Sequence, residues 1–278
     1  AGSFGDFGQD CDGNSTQGGT ACGNFNWPEV GIISVTPTLA SGAYLGSENV
    51  TGNAVSNVGR FIPADFSVRI VDQGSVAPYC TVSDDFAYFG QDLAWLSGAE
   101  PLLEVRAIAV GGALTENYTE PGFLRLESSG IERIPEVADE TEVGTQGNFL
   151  PVSTTLETMM GSVASPGVMR FIFSEADVLR YLKEPASRVA PFEPDYGIVL
   201  EKIKDKDDVT STQTPLTLKP DFAFQMRYGR LNLDNAFGPE NMDLQVPFEA
   251  QIWNGSRFQR HTDENCWVYD TANVNLTG

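Results

Sequence analysis

Asp10, Asp12 and Asn14 place oxygen-bearing side chains at alternate positions, with Gly13 among them. Calcium takes carboxylate and amide oxygens, and a glycine lets a short loop turn around the ion. The pattern predicts a calcium loop only in part. No bidentate acid follows at EF-hand spacing, and Cys11 stands inside the run. Asp205-Lys206-Asp207-Asp208 repeats the idea with a lysine that lowers the charge density. A plain acidic loop is the alternative at both places. Trp95 and Trp253 are the second kind of candidate, because the flat face of an indole matches the apolar face of a sugar ring. Asn254 follows Trp253 and would offer its amide to sugar hydroxyls. The alternatives are core packing for Trp95, Trp253 and Trp267, and a two-residue type I′ hairpin turn for Asn254-Gly255.

Groups for covalent or acid–base chemistry are scarce. The single histidine, His261, lies between Arg260 and Thr262-Asp263 and reads as a surface-loop residue. No Gly-x-Ser-x-Gly elbow or His-Glu-x-x-His helix occurs. A glycosidase needs only two carboxylates across a cleft. With 38 acidic residues, however, pairs such as Asp84-Asp85 or Glu175 and Asp177 arise by chance. The expectation is a non-enzymatic protein with no cofactor unless calcium occupies the first loop.

Charge narrows the partners. A formal charge of −21 repels phosphate backbones and anionic headgroups, which excludes nucleic acid and peripheral membrane binding. No apolar run approaches the ~20 residues of a membrane span, so direct insertion of this stretch is not expected. The first residues, from Ala1, show neither an initiator Met nor a signal-peptide pattern, and read as a fragment or a processed product.

Four cysteines allow three pairings. Cys11 and Cys22 lie in a Gly- and Asn-rich segment without hydrophobic period, where a local staple would supply the order that burial cannot. Cys80 and Cys266 remain, and would join early and late parts of the chain. No Cys-x-x-Cys occurs, and one histidine cannot complete a zinc set. Two disulfides in an oxidising compartment are expected, with four free thiols as the alternative.

The elements that must carry these residues are short strands. Gly and Pro are frequent, at 28 and 16, and Lys plus Arg total only 17, a mixture that favours strands and turns. Val30–Thr36, Phe66–Asp72 and Leu102–Val110 carry β-branched or alternating residues, and further strands are expected near 86 and 123. The second half offers strands at Gly167–Phe173, Gly197–Lys204, Asp221–Tyr228 and Leu244–Trp253, with a short one near Cys266–Tyr269. Pro247 would remove a ladder bond. Ser174–Leu182 reads either as a short capped helix or as a further strand. The predicted architecture is all-β: two Ig-like β-sandwiches with at most one or two short helices. Residues 1–28 form a stapled lead-in, 29–131 the first sandwich, 132–150 an acidic linker or long loop, and 151–278 the second sandwich.

Several blocks occur in a fixed order from about residue 30 to the end. They are Gly59-Arg60-Phe61-x-Pro63-x-x-Phe66, then Cys80 with Phe86-Ala-Tyr88-Phe-Gly-Gln91, then Asn117-Tyr118. Arg227-Tyr-Gly-Arg-Leu231, Trp253-Asn-Gly255 and the acidic surroundings of Cys266 from Asp263 complete the set. Together they resemble the C-terminal region of MshQ-type proteins, encoded with bacterial MSHA (mannose-sensitive haemagglutinin) type IV pili. The spacer from Cys80 to Phe86 is longer than in that pattern, and Asp207-Asp208 replaces an Asp-Gly. The resemblance implies a bacterial cell-surface component, passing through the periplasm and acting in attachment or pilus biogenesis. Its implied partners are pilus or other surface proteins. The tryptophans keep a glycan-binding module, with surface glycans as partners, as the alternative, and the acidic pairs keep a polysaccharide-acting enzyme as the third reading.

Overall fold

Alternation in three segments builds the main sheet. In Asp65–Asp72, Leu102–Ile108 and Val168–Ile172 successive side chains fall on opposite faces, as the strand period of two requires. Phe66, Leu103, Val105, Ala107, Met169 and Phe171 are fully buried on one face. The other face carries Ser67, Arg69, Arg106, Arg170 and Glu104, as the register of the three strands dictates. The computed structural model describes residues 3–4, 22–43, 46, 49–82, 85–137, 145–148, 153–155, 165–186 and 188–268. Among them this antiparallel sheet runs, in spatial order, Ser153–Thr155, Val168–Ile172, Leu102–Ile108, Asp65–Asp72.

A second antiparallel sheet joins Ile131–Val137, Tyr196–Ile203 and Leu216–Leu218. Its Ile198, Leu200, Ile203 and Leu218 enter the same hydrophobic core as the main sheet. This is the burial pattern of a sandwich-like protein. Apart from strands, the described residues hold two short 3-10 turns, Glu116–Thr119 and Ser128–Gly130. The chain is all-β, as its composition predicts.

The expected linker at 132–150 is corrected in its first part. Ile131–Val137 pairs along Tyr196–Ile203. Ile131 is buried, and Arg133 turns inward to Asp177, with Nη1 2.7 Å from Oδ2. The Arg133 guanidinium also lies 4.1 Å from the Phe173 ring centroid. A buried ion pair over an aromatic ring thus gives an acidic stretch a reason to enter the fold. Hydrogen bonding does not follow the division into 29–131 and 151–278 either. Leu102–Ile108 pairs with Val168–Ile172, and Phe86–Tyr88 with Gln225–Arg227.

Four local expectations change. Ser174–Leu182 is not a helix: Asp177 N–H donates to Ser174 O in a turn, and Val178–Tyr181 is a strand. Leu179 and Tyr181 are both fully buried, so period two prevails over the capping pattern. Phe123 lies in a turn after Pro121-Gly122, where Gly122 has φ +90°. Phe248–Trp253 begins just past Pro247, whose missing N–H ends the ladder. Trp253 and Phe258 face each other across a four-residue loop rather than a two-residue turn, because Asn254 Oδ1 accepts from the N–H groups of Ser256 and Arg257.

The first sequence block has a structural meaning. Arg60 pairs with Asp207 at 2.5 Å, and Phe66 stacks edge-on against Tyr118 with 5.5 Å between ring centroids. The Tyr118 hydroxyl donates to Asp205 Oδ2 at 2.8 Å. Asp205 Oδ1 also accepts from the N–H groups of Asp207 and Val209. The Asp205–Asp208 run is therefore an internal clasp, with Asp208 held by Lys204 at 2.5 Å.

Candidate functional site

Two of the sequence blocks meet side by side. Phe86–Tyr88 and Gln225–Arg227 form a parallel pair, with Tyr88 opposite Arg227. Gly229 follows at once. A Cβ there would stand 2.5 Å from Tyr88 Cε1, so only glycine lets the phenol ring lie against this backbone. Strand Phe258–Arg260 delivers His261, whose N–H donates to Ala250 O at 2.9 Å.

His261 is 5% exposed, which corrects its reading as a surface-loop residue. Its ring lies 4.8 Å from the Phe86 ring, between Tyr88 and Arg227. Arg227 Nη1 stands 2.5 Å from His261 Nε2. A guanidinium only donates, so Nε2 accepts and the imidazole proton sits on Nδ1. Nδ1 is 2.5 Å from the Tyr88 hydroxyl, which in turn donates to Glu264 Oε2 at 2.5 Å. The bonds run in one direction: Arg227 to His261 to Tyr88 to Glu264. The other oxygen, Glu264 Oε1, accepts the N–H groups of Cys266 and Trp267, each at 2.8 Å. Those two donors are spent on a carboxylate rather than a ladder, and this is why no strand forms at Cys266–Val268.

The electrostatics agree with this polarity. Burial, then Arg227, pushes His261 below its ordinary value, with Glu264 and Asp263 opposing. Burial, then the bond and charge of Glu264, raises Tyr88 far above the ordinary phenol range. The imidazole is neutral and the phenol protonated near pH 7. What the arrangement does chemically is hold residues 261–267 against Phe86–Tyr88.

The Cys80–Cys266 disulfide closes the same place, with 5.6 Å between Cα atoms across 186 positions of sequence. Cys80 and Phe86 also exchange backbone bonds. The sulfurs of Cys80 and Cys266 and a carboxylate oxygen of Glu264 lie within 4.8 Å of one another. With the sulfurs bonded together, they are not a thiolate metal set.

An open groove of about 380 Å³ lies beside the relay. Tyr79, Tyr88, Lys183, Arg230, Leu231 and Trp267 are on its walls. Tyr79, Leu231 and Trp267 are 60%, 54% and 39% exposed, so the groove offers aromatic and aliphatic surface next to two cations.

The residues expected from sequence fare differently. Cys22 is disulfide-bonded. Cys11, Asp10, Asp12, Asn14 and Asp84 lie outside the described residues. Trp95 is corrected as a sugar-stacking residue: it is 5% exposed and packs edge-on against Phe173. Trp253 is half-buried between Phe258, with 5.2 Å between ring centroids, and the Arg188 guanidinium at 5.4 Å. The Asn254 amide is taken up by its own loop and by Gln259. The sequence reading missed the grouping of Tyr88, Arg227, His261 and Glu264. Its one available signal was that the Phe-x-Tyr, Arg-Tyr-Gly and Asp263–Cys266 blocks all belong to one resemblance.

Residues 29–229 match the third domain of DUF6701, and residues 227–278 match its fourth domain. The chain belongs to the DUF6701 family. No curated protein and no solved structure matches it. The two domains meet at Arg227–Gly229, where the relay starts. Tyr88 and Cys80 lie in the third domain, and His261, Glu264 and Cys266 in the fourth.

Proposed function

We propose that this DUF6701 chain is a non-enzymatic structural and adhesive module of a bacterial surface protein associated with MSHA-type type IV pili. It contributes to surface attachment or pilus biogenesis, and acts outside the cell after passage through the periplasm. One observation carries the reading: the fourth domain is fastened to the third by a disulfide and, a few residues away, by a directional side-chain relay. A tandem exposed to force or proteases benefits from a domain junction secured in this way, and disulfides form and persist chiefly in oxidising compartments. Support for the context comes from the family, which is associated with MshQ-like proteins. No helix among the described residues is long and apolar enough to cross a membrane. The partners of this reading are pilus or other surface proteins.

The test is a deletion of residues 29–278 from the parent gene, with surface attachment and pilus assembly measured together. Purified chain is also titrated with purified pilus subunits. Unchanged attachment and piliation, together with no binding to subunits, would refute the proposal.

A second reading is a glycan-binding module, now centred on Tyr79 and Trp267 in place of Trp95 and Trp253. The exposed aromatic rings in the groove favour it. A glycan array without hits, or a Trp267→Ala variant that binds as well as the parent, removes it.

A further inference from the structure

The outer face of the main sheet departs from the charge of the rest of the protein. Five charged side chains stand on the outward positions of Asp65–Asp72, Leu102–Ile108 and Val168–Ile172. They are Arg69, Arg106, Arg170, Glu104 and, at the strand's start and bonded to Thr212, Asp65. Cross-strand pairing explains the cluster: Arg69 and Arg170 lie opposite Glu104 on either side, and Arg106 is two residues along from it. Neighbouring strands lie about 4.8 Å apart, so three guanidinium groups reach one carboxylate.

That carboxylate is nearly enclosed, at 3% exposure, whereas Arg69, Arg106 and Arg170 are 60%, 51% and 40% exposed. Arg106 takes Glu104 Oε1 with both Nε and Nη2, at 3.0 and 2.8 Å. Arg69 Nη2 is 3.2 Å from Oε2, and Arg170 Nη2 is 3.6 Å from the same oxygen. Burial works to raise the Glu104 pKa, but the bonds and charges of Arg106 and Arg69 outweigh it and hold the group ionised.

One guanidinium would neutralise Glu104. Three leave a charge of +2 around Glu104, and +1 on the face once Asp65 is counted, in a chain of net −21. Each guanidinium has five N–H donors in a planar fork, and most of these are not used by Glu104. A depression of about 320 Å³ lined by Ser67, Arg69, Glu104 and Arg106 lies over the cluster, and Ser67 adds a hydroxyl.

We infer that this depression is a small-oxyanion site, in which the guanidinium groups of Arg69 and Arg106 take a sulfate or sulfate-like group, with Arg170 adding positive charge from across Glu104. Glu104 is the residue that orients them. The ligand carries few charges, because a long polyanion meets the repulsion of the whole acidic surface. The site is distinct from the groove at Trp267 and does not depend on the adhesive reading. The anion has two sources of the same chemistry: free inorganic sulfate, or a sulfate ester on a sugar.

The experiment titrates the full chain by calorimetry at low ionic strength with sodium sulfate, with N-acetylglucosamine 6-sulfate and with N-acetylglucosamine. Saturable binding of either sulfated probe, but not of the uncharged sugar, is expected. Equal affinity for both sulfated probes identifies the free anion as the ligand, and tighter binding of the sugar sulfate identifies a saccharide. Arg69→Gln removes the most exposed guanidinium that lines the depression, so it should weaken binding about tenfold with little change in Tm. The inference is overturned if neither sulfated probe saturates. It is equally overturned if Arg69→Gln binds like the parent.

Discussion

Arg227 Nη1 donates to His261 Nε2 at 2.5 Å, and a guanidinium cannot accept a bond in return. The imidazole is therefore fixed as its Nδ1-protonated neutral tautomer, and the bond to Tyr88 follows from it. A second proton would have to sit on Nε2, facing a cation. Burial adds to this, so His261 is held below its ordinary pKa of 6.5, against the opposing charges of Glu264 and Asp263.

A pH dependence follows, and its sign is fixed. The unfolded histidine takes up a proton at higher pH than the folded one. The stability contributed by neutral His261 is complete above pH 6.5 and is lost as pH falls from there through the lower folded value. Tyr88 is displaced upward and does not titrate in this range. Thermal unfolding of the parent and of His261→Gln, compared over about pH 5–7, separates this group from the carboxylates that titrate lower. The parent should lose its advantage over the variant as the solution is acidified. A constant difference in Tm across the window would contradict the assignment of the tautomer.

The Cys80–Cys266 bond closes a loop of 186 positions. In the chain-entropy picture a loop of this length restricts the unfolded chain by ~5 kcal/mol, and measured losses run to about 2–5 kcal/mol. A Cys80→Ala/Cys266→Ala pair should lower denaturant stability by that order. Because the bond lies at the junction of the two DUF6701 domains, limited proteolysis of the variant should cut between 229 and 268 while the 29–229 region survives longer. Uniform digestion of both regions would show that the cystine does not govern the junction.

Much of the fold could be read from local pattern, and the site could not. Phe66 and Val105 announce strands because each recurs at period two with polar neighbours. Leu179 and Tyr181 followed the same rule but were contested by a capping pattern at Ser174–Asp177. Sequence could not show that Asp177 has a buried arginine from another strand as its partner. His261 looked exposed because its neighbours Arg260, Thr262 and Asp263 are polar, and local polarity carries no information about Phe86 and Arg227, which are distant in sequence. Trp95 is buried for the same reason: its covering ring, Phe173, comes from elsewhere in the chain, as does the Arg188 guanidinium beside the half-buried Trp253.

Arg133 and Asp177 provide a test of long-range electrostatics. Their side chains are 3% and 0% exposed, and they connect the strand Ile131–Val137 to the turn before Val178–Tyr181. Asp177→Ala leaves a buried cation over the Phe173 ring and should cost about 3–5 kcal/mol. Replacing both partners, as Arg133→Met/Asp177→Leu, should recover most of that loss, because the buried charge disappears with the pair. A double variant as unstable as the single one would mean that the charges matter less than the shape they fill.

Gly229 tests whether the relay depends on how closely Tyr88 approaches the backbone. A Cβ at this position would lie 2.5 Å from Cε1 and 2.6 Å from Cδ1 of Tyr88, distances that ring and backbone cannot share. Gly229→Ala must push the ring aside and lengthen both its bond to His261 and its bond to Glu264. An overpacking change of this kind is expected to cost about 1–3 kcal/mol. Tyr88→Phe keeps the ring but leaves the His261 N–H and Glu264 Oε2 without their shared partner, a loss of about 1–3 kcal/mol. Two causes are thereby separable. If Gly229→Ala acts by moving Tyr88, its cost should shrink in a Tyr88→Ala background, where no ring remains to be displaced, giving a coupling of about 0.5 kcal/mol or more. Strict additivity in chemical denaturation would show that the glycine serves the backbone alone and that the relay does not depend on it.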